Sequence, residues 1–256
     1  MTTDPNKVAL VTGAGARIGK EIALALADDG WAIAVHFGDS ESSAKAVADQ
    51  ITGNGGRANT FQADLADENA VAALLPAVSE EMGPVMSLVN NASVFEQDSV
   101  ETATRQSWDR HLDVNLRAPF VLSQALAGGL PEGSQGNIIN IVDQRVENLT
   151  PYFTSYTVSK AGLWTITQTL AQALAPAIRA NAISPGPVLP SPRQTLDEFE
   201  RQFSDTPLAR AVDTKEICAA VRFILAAPSL TGQMITIDSG QHLGWAQASK
   251  SDGPSE

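Results

Sequence analysis

A chain of 256 residues, 43% hydrophobic and 18% charged, is within what one α/β domain with a single large sheet can fill, and its composition is not that of a disordered segment. Acids outnumber bases 29 to 17, for a net charge of −12, which argues against a nucleic-acid footprint, since that needs clustered Lys and Arg. The start, "MTTDPNKVAL", lacks the apolar core of a signal peptide, and no stretch reaches the roughly 18 apolar residues of a spanning helix, so a cytoplasmic protein acting on a small molecule, with no membrane partner, is expected.

Short apolar runs alternate with amphipathic stretches, the pattern of a parallel sheet covered on both faces, which right-handed crossovers make an α/β doubly wound sheet. The first run, "KVALVTG", leads into "VTGAGARIGKEIALALADDG", which places Gly13, Gly15 and Gly19 at a strand-to-helix turn. Glycines there let the backbone approach a pyrophosphate, whose charge meets amide N–H groups and the helix N-terminus. The second run, "WAIAVHF", ends in "VHFGDS" with His36, Asp39 and Ser40; the third, "RANTFQAD", ends at Asp64; the fourth, "MSLVNNAS", ends in Asn91, Ala92 and Ser93. Singly these suit caps or turns, whereas jointly, at C-terminal strand ends, they favour a bound dinucleotide.

The fifth run, "GNIINIVD", closes on Asp143, and a helix from Thr154 onward would set Tyr156 and Lys160 one turn apart on one face. A nearby ammonium would lower the tyrosine pKa and make it a usable proton donor, although an ordinary surface pair has the same spacing. After the sixth run, "IRANAISPG", residues 184–213 carry Pro185, Pro187, Pro190, Pro192 and Pro207 and a short helix around Leu196 to Phe203, a binding loop or a solvated excursion. Cys218, the sole cysteine, sits in "EICAAVRFIL" and reads as a buried structural thiol; no metal site is expected. "QMITIDSG" is the seventh run, so that residues 1–246 form one domain and 247–256 a frayed tail.

The ordered set "TGAGARIG", "NNAS", Asn115 in "DVNLRAPF", "YTVSK" and "SPGP" resembles the classical short-chain dehydrogenase/reductase family from Lys7 to about Trp245. The resemblance implies a Rossmann-type sheet of about seven strands, Tyr156 as catalytic acid, Lys160 holding the nicotinamide ribose and tuning Tyr156, and Asn115 supporting a proton-relay water. It implies NAD(P)(H) held by Gly13, Gly15, Arg17, Ile18 and Gly19, by His36, Asp39 and Ser40, by Asp64 and Leu65, by Asn91, Ala92 and Ser93, by Lys160, and by Pro185, Gly186 and Val188. Relatives of this family are commonly homotetramers or homodimers. Two departures, Arg17 for a small residue and Asp143 for serine, look like the pteridine reductase branch, as does Phe95 in "NNASVF", where that branch stacks an aromatic ring on the pterin. Arg17, Ser93, Phe95, Asp143 and Tyr156 would then meet the substrate, although an aromatic after a strand is as often core.

An ionised Asp143 about 4 Å from a ketone oxygen gaining negative charge would oppose it by about 4 kcal/mol at an effective dielectric near 20, roughly a thousandfold in rate. Reduction of a pterin C=N bond instead puts charge on a ring nitrogen that takes a proton, which an acid paired with a tyrosine can relay. The alternative is a carbonyl or alcohol oxidoreductase with a protonated Asp143 acting as donor. Asp39 would repel a 2′-phosphate and Arg17 could offset it, so NADPH is expected with NADH left open.

Overall fold

The computed structural model describes residues 7–191 and 193–244; the tail expected over 247–256 and Pro192 lie outside them. In chain order the elements are β1 (Val8–Val11), α1 (Arg17–Asp28), β2 (Ala32–Phe37), α2 (Glu41–Gly53), β3 (Ala58–Gln62), α3 (Glu68–Met82), β4 (Val85–Asn90), α4 (Arg105–Leu112), α5 (Ala118–Gly129), β5 (Gly136–Ile141), α6 (Thr154–Ala173), β6 (Ile178–Pro185), α7 (Leu196–Ser204), α8 (Thr214–Ala226) and β7 (Met234–Ile237). Each of the seven apolar runs coincides with one strand, β4 beginning one residue ahead of its run, at Val85. They pair in parallel in the order β3-β2-β1-β4-β5-β6-β7.

All of β1 and β2 is buried, as expected where helices cover both faces. Alternate side chains of β1 serve opposite layers: Val8 and Leu10 pack with Leu74, Val78, Leu122 and Leu170 of α3, α5 and α6, while Ala9 and Val11 pack with Ile22, Val47 and Ile217 of α1, α2 and α8. Cys218 lies in the second layer, where burial pushes its thiol up to about 11, consistent with a structural thiol. No helix among the described residues is long and apolar enough to cross a membrane.

Strand order reverses between β1 and β4, because β2 and β3 lie to one side and β4 to β7 to the other. The crevice at the C-terminal ends of these strands is where open α/β sheets bind ligands. The segment after β6 rises over it, ordered in part by α7, whose Thr195 cap is paired reciprocally with Glu198.

Candidate active site

A cleft of about 440 Å³ opens at that switch point. It brings together, of the residues expected from sequence, Gly13, Arg17, Ile18, Gly19, Asn91, Ala92, Ser93, Phe95, Asp143, Tyr156, Lys160, Pro185, Gly186 and Val188. Gly15, His36, Asp39, Ser40, Asp64, Leu65 and Asn115 do not line it.

The glycine turn has a steric logic. Gly13 has φ +63°, and a Cβ on it would lie 3.0 Å from the Cα of Ala92; one on Gly19 would lie 2.4 Å from both the Gly13 carbonyl oxygen and Asn91 Nδ2. The turn is stitched to the end of β4 by Thr12, whose Oγ1 accepts from the amides of Asn91 (2.9 Å) and Ala92 (3.0 Å), and by Asn91 Nδ2, which donates to the Thr12 carbonyl (2.8 Å). Gly186 is required for a related reason, since a Cβ there would sit 2.6 Å from the Cα of Asp238.

His36 has a different job from the one expected. Its Nδ1 accepts from the Gly13 amide at 3.1 Å and its Nε2–H donates to the Ala63 carbonyl at 3.1 Å, so both ring nitrogens are engaged within the protein and none is left for a cofactor. Burial lowers its pKa from 6.5 to about 4. Asp64 accepts from the Ala66 amide at 2.9 Å as a turn cap, Leu65 packs in the core, and Asp39 and Ser40 stand exposed at the end of β2.

At the chemical end, the Tyr156 hydroxyl donates to Asp143 Oδ2 at 2.8 Å, while Asp143 Oδ1 accepts from the Arg145 amide at 2.8 Å. Both carboxyl oxygens thus act as acceptors. Lys160 on the next turn of α6 donates from Nζ to the Ile141 carbonyl at 2.8 Å, the one hydrogen bond among the described residues of an ammonium that is 2% exposed, and burial lowers its pKa to about 8. Tyr156 does not have the lowered pKa expected of a tyrosine beside Lys160: burial, then the charge and hydrogen bond of Asp143, hold it well above the usual phenol range, against smaller opposing effects of Arg145 and Ser93.

Asn115 lies in a single π turn, Asp113–Arg117, and its amide is fully engaged. Oδ1 accepts from the Val94 amide (2.8 Å) and Ser93 Oγ (3.2 Å), and Nδ2 donates to the Val94 carbonyl (2.9 Å) and Ser159 Oγ (3.0 Å). Its side chain is a positioning residue that ties the loop after β4 to α6.

Phe95 joins an aromatic platform not evident in the sequence. Its ring stacks on Phe153 (4.6 Å between centroids, 10° between planes) and meets Tyr156 edge-on at 4.7 Å. Phe153, the N-cap of α6, is buried with φ +59°, a left-handed conformation that costs on the order of 1–3 kcal/mol in a bulky residue. Behind it, Asp98 accepts from Ser155 through both the amide (3.1 Å) and the hydroxyl, and His111 Nδ1–H donates to that hydroxyl at 2.7 Å while Nε2 accepts from the Glu96 amide.

The proline-rich segment holds the groups expected to meet substrate. Arg17, at φ +53°, donates to the carbonyls of Pro190 (2.8 Å) and Leu189 (3.1 Å), and Arg193 donates to the Phe95 carbonyl with its guanidinium 5.5 Å from the Phe95 ring centroid. Phe95 is therefore flanked by Phe153 and Arg193 while still lining the cleft.

The chain matches the model of the short chain dehydrogenase family over residues 7–201. Among solved structures it is similar to FolM alternative dihydrofolate reductase 1 from Brucella canis complexed with NADP, at 47% identity and a TM-score of 0.92, covering 96% of this chain and 97% of that one. An uncharacterized oxidoreductase of Methylorubrum extorquens is 36% identical over 91% of this chain and 97% of its own. A 3-oxoacyl-[acyl-carrier-protein] reductase of Synechocystis is 32% identical over 94% and 98%.

Proposed function

The chain belongs to the short-chain dehydrogenase family, and on that premise we propose that this NAD(P)H-dependent reductase acts on a pterin of the dihydrofolate, dihydrobiopterin or dihydromonapterin kind. The observation that carries the reading is the 2.8 Å bond from the Tyr156 hydroxyl to a carboxylate that also accepts a backbone N–H. A carboxylate so placed opposes ketone reduction and suits a ring nitrogen that must be protonated.

The residues present fit a nicotinamide dinucleotide. A turn with no room for a side chain at Gly19 admits a pyrophosphate to backbone amides, and a buried ammonium using one of its three donors has two left for ribose hydroxyls. Gly13, Gly19, Asn91, Lys160 and Gly186 would hold the cofactor, and the Brucella canis relative is complexed with NADP. When bound, the reduced nicotinamide supplies a hydride to a ring carbon.

The chain's own residues supply the proton and the geometry. Burial and Asp143 keep Tyr156 protonated at neutral pH, so its hydroxyl is a stored proton next to a carboxylate that can pass on a replacement. Loss of that proton would leave phenolate beside carboxylate, and the Lys160 ammonium on the following turn offsets the added charge. Asn115, Ser159 and the Asp98–Ser155–His111 network hold α6 and the Phe95 loop in register.

A second reading, reduction of a ketone with a protonated Asp143, draws on the Synechocystis relative named as a 3-oxoacyl-[acyl-carrier-protein] reductase. Oxidation of NADPH and NADH by the purified protein with dihydrobiopterin, dihydrofolate and a ketone panel separates the two. Pterin-dependent oxidation is the expected result, and turnover of ketones alone would reject it. A homodimer or homotetramer built partly on α6, whose Val158 is exposed, completes the proposal and is testable by gel filtration.

A further inference from the structure

We infer that Arg145, with Gln144 beside it, reads the substituent of the substrate, and that the preferred substrate carries an anionic oxygen group there, a carboxylate or a phosphate. The inference rests on the pterin reading and adds the chemistry of the side chain.

The chain treats its other guanidinium groups differently. Arg105, Arg110, Arg117, Arg210 and Arg222 each pair with an acid while well exposed. Arg179 directs its nitrogens at the carbonyls of Ile224, Leu225 and Leu230. Arg145 is only 6% exposed, yet no carboxylate oxygen lies within 4.0 Å of its guanidinium among the described residues, and its side chain makes one hydrogen bond, Nη1 to Thr150 Oγ1 at 3.2 Å. Five donors in a planar fork, with one in use, is an unusual state for a buried cation, because burying charge is unfavourable unless it is paired.

What holds the group in place is aromatic. The guanidinium lies 4.7 Å from the Phe153 ring centroid and 5.9 Å from that of Phe95. Cation–π contacts fix the plane of the fork without consuming its in-plane donors. Those donors match the two oxygens of a carboxylate or phosphate. Gln144 is also 6% exposed, and its Oε1 is buried without a hydrogen-bond partner, an acceptor suited to an N–H or O–H of the same substrate rather than to the anion. Both residues line the cleft one and two positions beyond Asp143.

The cofactor's own phosphates do not account for this. They would be met by the glycine turn, whereas Arg145 faces Phe95, whose ring also meets Tyr156 edge-on. In a chain of net charge −12, an anionic substrate needs a local basic site, and Arg145 provides one in the cleft.

The test measures binding of the unreactive oxidised analogues to the NADP-loaded protein by titration calorimetry: folate with its carboxylates, neopterin phosphate, and biopterin with a neutral side chain. Arg145→Met is expected to weaken folate or neopterin phosphate at least tenfold more than biopterin, and Arg145→Lys, which keeps charge but loses the fork, to fall between. Loss with folate alone assigns the anion as carboxylate, and loss with the phosphate alone assigns it as phosphate. Equal weakening of all three, or none, would overturn the inference. Should Arg145→Met fail to fold, the folate-to-biopterin ratio in Arg145→Lys and Arg145→Gln serves instead. Ketone turnover with selective folate binding would reject the pterin reaction and leave Arg145 in place; failure to bind any of the three would reject both.

Discussion

Replacing His36 tests whether the dinucleotide turn is held by a neutral histidine. Its pKa falls from 6.5 to about 4 on folding because burial disfavours the charged ring. The sign follows from linkage: above pH 6.5 both states are neutral and nothing is lost, whereas below it the unfolded chain takes up a proton that the folded one resists. Stability is therefore present above pH 6.5 and lost as pH falls through 4. The full interval is worth about 3 kcal/mol at about 1.4 kcal/mol per pH unit, and about 2 kcal/mol of it is gone by pH 5 by the same linkage. Urea unfolding at pH 7.5 and pH 5, compared between the wild-type protein and His36→Gln, gives the difference in the acid-induced loss. The variant should lose about 2 kcal/mol less than the wild type over that range. Equal losses in both proteins would show that His36 titrates freely and does not clamp Gly13.

Lys160→Met should give a protein that is more stable at pH 7 by on the order of 2 kcal/mol, because burial lowers the ammonium pKa from 10.5 to about 8, yet does not turn over. Wild-type stability should rise between pH 8 and 10.5 as the ammonium loses its proton, and denaturant unfolding of the variant should not show that rise. Gly19→Ala puts a Cβ 2.4 Å from the Gly13 carbonyl and should lose about 1–3 kcal/mol of stability together with NADPH affinity, read by thermal unfolding and fluorescence titration. Ser155→Ala leaves buried Asp98 and His111 short of a partner and should lose about 1–3 kcal/mol, with kcat falling as the Phe95 loop loosens; unchanged unfolding would show the network to be dispensable.

The strands were legible because a buried parallel sheet writes itself as apolar runs, and the Tyr156–Lys160 spacing was legible because it is local to one helix. Asp143 and Tyr156 could be paired in advance only through their spacing in a family pattern, and the structure brings them to 2.8 Å. What escaped the sequence was long-range. Thr12 reaches residues about eighty positions away, Asp98 and Ser155 are 57 apart, and nothing around Phe153 announces a left-handed cap. His36 illustrates the reverse error, since a histidine at a strand end reads as a ligand contact until burial shows both nitrogens spent on the backbone. The Tyr156 pKa departs from its expectation for a similar reason: spacing reports a neighbour, but desolvation and the carboxylate on the other side set the net direction.

The account stands on a carboxylate serving proton delivery, and the direct measurement is the steady-state rate of dihydropterin reduction with NADPH in the wild-type protein, Asp143→Asn and Tyr156→Phe. The account predicts turnover in the wild type and a fall of roughly a hundredfold or more in each variant, within the usual span for loss of a positioned proton donor. Undiminished pterin reduction in Asp143→Asn, or ketone reduction that improves in it while pterins go unreduced, would contradict it.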